Sequence, residues 1–246
     1  MIRRATLLLA LVGSACVPTS PPWDGEPPAA PVRPRQGPGA VAPPADPSTV
    51  PAPVDDGVAR VVILSIDGLR ADVVRPENTP VLARLRTEGV YAPETHTIVP
   101  SLTLPSHASM LSGQPPENHK VDWNGLDERR IAVPTIFSFA RRAGLRTVMV
   151  VGKEKFSTIV YPDSLDAYVY VPEGDQAVVD AAIREARRGF RVMFVHLPEV
   201  DMTGHGQGWL SEPYLAAARN ADAAVGRLRA ALMRSTTLIV TADHGG

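Results

Sequence analysis

The stretch Val61-Val-Ile-Leu-Ser-Ile-Asp-Gly-Leu-Arg70 begins with a continuous apolar, β-branched run, VVILSI, and then stops abruptly on an acid and a glycine. A run of this kind puts apolar side chains on both faces of a strand, so the strand needs cover on both sides, as in a parallel sheet. Three further runs of the same character follow at Thr147–Val151, Val192–Leu197 and Thr237–Val240. Between them lie amphipathic helical patterns at Thr79–Glu88, Thr135–Arg142, Ala177–Arg188 and Tyr214–Met233, the first of which ends in Gly89 as a helix commonly does. Strands alternating with helices predict an α/β fold, a three-layer α/β/α sandwich with a mostly parallel central sheet. No internal repeat interrupts the alternation.

Upstream of residue 58 the character is different. Residues 17–57 hold about half of the chain's 25 prolines, mixed with Ala, Gly and Asp, and have too few apolar side chains to build a core. Such a stretch is expected to be a disordered, solvated linker or spacer. Residues 1–16 have the layout of a secretory signal peptide: Arg3 and Arg4, the apolar run Thr6–Val12, then small residues. Cys16 stands where a bacterial lipoprotein signal places its acylated cysteine, although Leu11 lies further upstream than such a signal usually has it. Lipidation of Cys16 and plain cleavage are both open, and either one predicts an exported, periplasmic or cell-surface protein, with membrane attachment in the first case. The catalytic domain is expected over residues 58–246.

Cys16 is the only cysteine, which excludes an intramolecular disulfide and a thiolate metal cluster. Any metal must therefore be held by histidines and carboxylates. A formal charge of -1, with no basic run longer than a pair such as Arg141 and Arg142, gives no footprint for nucleic acid.

In parallel sheets ligands gather at the carboxyl ends of the strands, so the polar residues that follow the apolar runs are the candidates for chemistry. Asp67 ends the first run, with Gly68 allowing an immediate turn. DMTGH, Asp201–His205, follows the third and spaces a carboxylate and an imidazole so that both can face one ion from a single turn of helix. Asp243 and His244 follow the fourth; neighbours on a strand face opposite ways, and the two glycines after them permit the turn that would let them share a metal. In VPSLTLPSH, Val99–His107, Thr103 precedes Pro105 and a short helical pattern, which places its hydroxyl at the positive end of a helix. Taken singly, each feature has a plain structural explanation: Asp67 a turn cap, Thr103 an N-cap, the Asp-His pairs ordinary structural pairs.

Taken together and in this order, the residues resemble the type I phosphodiesterases and nucleotide pyrophosphatases, a branch of the alkaline phosphatase superfamily. The resemblance runs from Val61 to the end and is strongest in SIDGLR, TLPSHASMLSGQPPENH, DMTGH and ADHGG. It implies an alkaline-phosphatase-like fold and a pair of zinc ions. Asp67, Asp243 and His244 would bind one zinc with the oxygen of Thr103, and Asp201 and His205 would bind the other. Asn124, in DWNG, would donate to a phosphate oxygen, although an Asn-Gly turn explains it equally well. The ligand types suit Zn²⁺ and leave Mn²⁺ or Fe open.

The resemblance further implies that Thr103 is a nucleophile that forms a covalent phospho-intermediate on a small phosphate ester. Phosphonate substrates fit the same residues. Sulfate esters fit less well, because sulfatases mature a cysteine or serine to an aldehyde hydrate and threonine cannot follow that path. The family takes a third ligand for the second zinc from a histidine well downstream of the Asp-His pair, whereas this sequence stops at Gly246. Of the other histidines, His96, His107, His119 and His196, His107 and His119 fall where the family has structural histidines. The sequence is accordingly read as a fragment or truncated product. A non-catalytic metal- or phosphate-binding surface protein is the contrasting expectation.

Overall fold

The first apolar run becomes β1 (Arg60–Ile66), which pairs in parallel with β4 (Val192–Leu197) on one side and β5 (Thr236–Thr241) on the other. Beyond β4 lie β2 (Thr147–Val151) and then β3 (Ala167–Tyr170), so the order is β3-β2-β4-β1-β5, with every pairing parallel. The computed structural model describes residues 58–246; the leader, Cys16 and the linker lie outside the described residues.

The continuous apolar runs are explained by two cores, one on each face of the sheet. Val62, Leu64 and Ile66 of β1, with Met193, Val195 and Leu197 of β4, pack in one cluster against α1 (Pro80–Glu88), α5 (Asp175–Arg187) and α7 (Glu212–Ala231). Ile63 and Phe194, the alternate residues of the same strands, join Met149 and Val151 in the other cluster, under α2 (Thr103–Ser112) and α4 (Ile136–Arg142). The period-two alternation of a strand thus divides each run between two cores, which is the three-layer sandwich expected.

Besides short turns of helix such as α3 (Pro116–His119), two elements lay outside the sequence expectation. β3 is a four-residue edge strand, AYVY, partly or fully exposed along its length and too short for its alternation to register. The other is α6 (Glu199–Gln207), which contains two glycines and has no clear apolar stripe. Tertiary packing holds it: Val200 enters the core, and Gly204 lies so close to Trp209 that a Cβ there would come within 2.5 Å of the indole. Long-range hydrogen bonds likewise replace local capping. Asp222 of α7 accepts from the backbone amides of Val81 and Leu82 at 3.0 and 2.8 Å, capping α1 from across the layer.

Parallel strands all leave the sheet on one side, so the segments after β1, β2, β4 and β5 meet along one edge. Gly68 turns the chain there with φ 68°, and a Cβ at that position would approach Asp201 Cα to 2.9 Å. The turn is fastened by Tyr214 of α7, whose fully buried hydroxyl accepts from Arg70 N at 3.0 Å and donates to Gly68 O at 2.8 Å.

Tyr214→Phe should therefore lower unfolding free energy by about 1–3 kcal/mol in urea denaturation, because two buried backbone groups lose their partner. Asp175, at the start of α5, provides a pH-dependent test. Its Oδ1 accepts from Glu199 N at 3.1 Å, and burial, then the neighbouring Glu199 charge, push its carboxyl up from 3.8 to about 8. With the folded-state value raised, the folded protein holds the extra proton. Stability from this group is full below pH 3.8 and is lost as pH rises toward 8. Asp175→Asn keeps the acceptor oxygen and should flatten that decline; an unchanged pH profile of thermal unfolding would refute the assignment.

Candidate metal centre

Three carboxylates and two imidazoles converge where β1, β4 and β5 end. Asp67 directly follows β1, and its amide continues the ladder by donating to Leu197 O at 3.0 Å. The side chain is fully buried, and its Oδ2 accepts from His196 Nε2 at 2.9 Å and from Lys153 Nζ at 2.7 Å. Lys153 Nζ also donates to Asp201 Oδ2 at 2.6 Å, so one ammonium spans both acids. Asp243 Oδ1 accepts from the amides of Gly68 at 3.2 Å and His244 at 3.0 Å.

The other oxygens of these acids face imidazoles. His244 Nε2 lies 3.3 Å from Asp67 Oδ1, 3.5 Å from Asp243 Oδ2 and 3.9 Å from Asp201 Oδ1. His205, one helical turn after Asp201 on α6, reaches Asp201 Oδ1 at 3.3 Å from a largely exposed position. Asp67 Oδ1, Asp201 Oδ1 and Asp243 Oδ2 are buried without a hydrogen-bond partner. One donor atom from each of Asp67, Asp201 and His244 lies within 4.8 Å of the others. Buried orphan oxygens beside imidazole nitrogens are the donor set a borderline divalent cation requires, so the residues fit zinc.

The electrostatics divide the acids. Burial would raise the Asp67 carboxyl, but the His196 hydrogen bond and the Lys153 charge outweigh it and hold it far below the usual range. Asp243 has no such cation. Burial first, then the charge of Asp67, pushes its carboxyl well above the ordinary value. Lys153 is raised: the Asp67 charge and its bonds to both acids overcome its burial. His196 is lowered by burial, so it serves as a neutral N–H donor.

Thr103 is the first residue of α2 and is almost completely buried. Its carbonyl accepts from His107 Nδ1 at 2.7 Å, which leaves His107 Nε2 to accept from Ser65 Oγ of β1 at 2.8 Å. Burial lowers His107 to about 3, so the ring is neutral in this role. The same Nδ1 lies 3.5 Å from Asp243 Oδ2. His107 thereby links the α2 terminus to both the sheet and the acids. Asn124 sits beside the helix: its Oδ1 accepts from Leu104 N at 3.0 Å and from Lys155 Nζ at 2.9 Å. With its oxygen engaged, the amide nitrogen is the end with protons to give. Burial and then the Lys153 charge lower Lys155 to about 8.

Asp67, Asp201, Asp243 and His244 thus come together in one cluster, with His205 at its edge and Thr103 tied in through His107. Sequence reasoning missed Lys153 and His196. Lys153 could have been found, since it follows β2 as Asp67 follows β1, and strand ends were the places to search. His196 lies inside an apolar strand run and had no comparable signal.

A parallel α/β/α sandwich with acids and imidazoles at its strand ends defines an alkaline-phosphatase-like domain carrying a candidate metal centre. The chain belongs to the type I phosphodiesterase / nucleotide pyrophosphatase family, whose model matches residues 61–246. It is similar to ectonucleotide pyrophosphatase/phosphodiesterase family member 3 of Mus musculus, 24% identical over 216 residues, and to member 1 of Homo sapiens, 24% identical over 213. Each match covers 75% of this chain but only 24% and 23% of those relatives, so the chain spans about a quarter of their length. Among solved structures, an inactive threonine-to-alanine variant of murine ectonucleotide pyrophosphatase / phosphodiesterase 5 in complex with AMP superposes with a TM-score of 0.65 at 22% identity. The human counterpart gives 0.64 at 20%, and both alignments cover 76% of this chain and 57% of the other.

Excess Zn²⁺ added to chelator-treated protein should raise the thermal midpoint, by the equivalent of about 2.7 kcal/mol at a hundredfold excess over Kd. Differential scanning calorimetry should show this shift in the wild type and lose it when Asp67 and Asp201 are both changed to Asn. A wild-type midpoint indifferent to zinc would refute the centre.

Proposed function

We propose that this chain supplies the metal-binding part of a phosphoric ester hydrolase that cleaves phosphodiester or pyrophosphate bonds through Thr103. The observation that carries the proposal is the convergence of Asp67, Asp201 and His244 within 4.8 Å, together with the His107 bridge to the helix that Thr103 opens. Family membership supports the reaction class, and the AMP complex of the murine relative supports a nucleotide or similar small phosphate ester as substrate.

In this proposal Asp67, Asp243 and His244 hold one cation together with the Thr103 oxygen, and Asp201 and His205 contribute to a second. Divalent ions bound there would lower the pKa of a coordinated hydroxyl and offset phosphoryl charge. The protein's own contribution is placement. His107 and Ser65 fix the first turn of α2, whose positive end favours an anion beside Thr103. Thr103 Oγ1 bonds to phosphorus as the bond to the leaving oxygen breaks, its proton passing to solvent and the departing oxygen taking one up. Water then releases the phosphoryl group from the phosphothreonine and restores the hydroxyl. In the same reading Asn124, whose Oδ1 accepts from Leu104 N, donates its amide N–H to a phosphate oxygen.

Export is part of the same reading, supported by the leader-like Met1–Cys16, with lipid attachment at Cys16 and plain cleavage of the leader as its two alternative forms. Among the described residues no helix is long and apolar enough to cross a membrane.

The zinc-supplemented protein should release p-nitrophenol from bis-p-nitrophenyl phosphate, and Thr103→Ala should lower kcat on the order of 10⁴-fold or more. Equal background release from both proteins would show that Thr103 supports no turnover and would overturn the proposal.

A further inference from the structure

Lys153 has no part in the reading above, yet it makes the shortest charged contacts in the centre to the two acids Asp67 and Asp201. Its ammonium lies 2.7 Å from Asp67 Oδ2 and 2.6 Å from Asp201 Oδ2. Each contact engages a single oxygen of its carboxylate. The opposite oxygens, Asp67 Oδ1 and Asp201 Oδ1, are the ones left buried without a hydrogen bond. They are also the ones nearest His244 Nε2, at 3.3 Å, and His205 Nε2, at 3.3 Å, whereas His196 shares Asp67 Oδ2 with the lysine. Each carboxylate therefore divides its work: one oxygen is bound to a protein cation and the other is available to a ligand.

We propose that Lys153 is a positioning residue of the metal centre, remaining on the rear oxygens of Asp67 and Asp201 while cations take the front ones, and so setting the spacing of the two acids. This inference rests on the metal reading above. An ammonium is a compact charge with three donors, so it can bridge two carboxylates and still retain a proton to give. It also offsets the repulsion between two buried acids, which neither neutral His196 nor a backbone amide can do. The backbone before Lys153 is closely packed. Gly152, immediately before it, donates to His196 O at 3.2 Å, extending the β2–β4 ladder, and packs so closely on Pro198 that a Cβ would lie 2.4 Å from the ring. The backbone that aims Lys153 is thus clamped by the segment leading to Asp201. Outer-shell partners of this kind orient metal ligands rather than touch the metal.

The test is zinc affinity, measured by competition with a chromophoric chelator for the wild type and Lys153→Met, with far-UV circular dichroism of the chelator-treated proteins as the folding control. A positioning role predicts that the Met variant binds zinc roughly 10- to 100-fold more weakly. Unchanged affinity would make Lys153 a bystander, and tighter binding would make it a competitor that zinc must expel; either result overturns the proposal. Should the Met variant fail to fold, the wild type answers by itself. Acetylation of Lys153, followed by mass spectrometry, should remain slow when zinc is added, whereas acceleration by zinc would show the side chain released and the proposal wrong. Zinc uptake by neither protein would refute the metal reading and this inference with it. Zinc-dependent hydrolysis that is indifferent to Lys153 would refute this inference alone.

Discussion

Burying negative charge without a matching partner is the constraint around which this protein is organised. Three aspartates, Asp67, Asp201 and Asp243, are withdrawn from water at the edge of the sheet. The fold provides incomplete compensation: one ammonium shared between two of them, one neutral imidazole on Asp67, and two backbone amides on Asp243. One oxygen of each acid is left without a donor. A cluster in that condition is costly in a protein whose purpose is only to be stable, and it is the expected arrangement where cations complete the charge.

The sheet places the acids through its register. Ser65 of β1 stands opposite His196 of β4 and Thr241 of β5, and the residues that follow these strands reach the rim together. Below the rim, His107, His196 and Phe156 form a packed aromatic floor, with ring centroids 4.3 to 5.4 Å apart. That floor keeps both histidines neutral and fixes their rings. His196 can then hold Asp67, and His107 can hold Thr103. The same packing that excludes water from the core therefore sets the orientation of the groups that meet the ligand, joining stability and chemistry in one layer.

The fold was legible because its signal is strong. Runs such as VVILSI admit few arrangements other than a sheet covered on both faces, and Gly89 and Thr135 mark helix ends by local chemistry. β3 and α6 were not legible. Four alternating residues carry too little periodicity, and two glycines in nine residues argue against the helix that contacts with the core and Trp209 then hold in place. In the site, the acids and His244 could be listed from the strand-end rule together with the family resemblance. Lys153 was available to the same rule. His196, at a position that reads as core, was not.

The sequence by itself determined the layers, the strand ends at which polar residues gather, and which donor types any metal would meet, because these follow from periodicity, turn residues and composition. Only the tertiary structure decided which oxygen of each acid is engaged and which is free, because that depends on side chains far apart in the chain, Lys153 after β2, His196 within β4 and Gly68 after β1, meeting at distances below 3.3 Å. Hydrogen bonds are directional and short-ranged, so residue types along a chain do not reveal them until the strands have been set side by side.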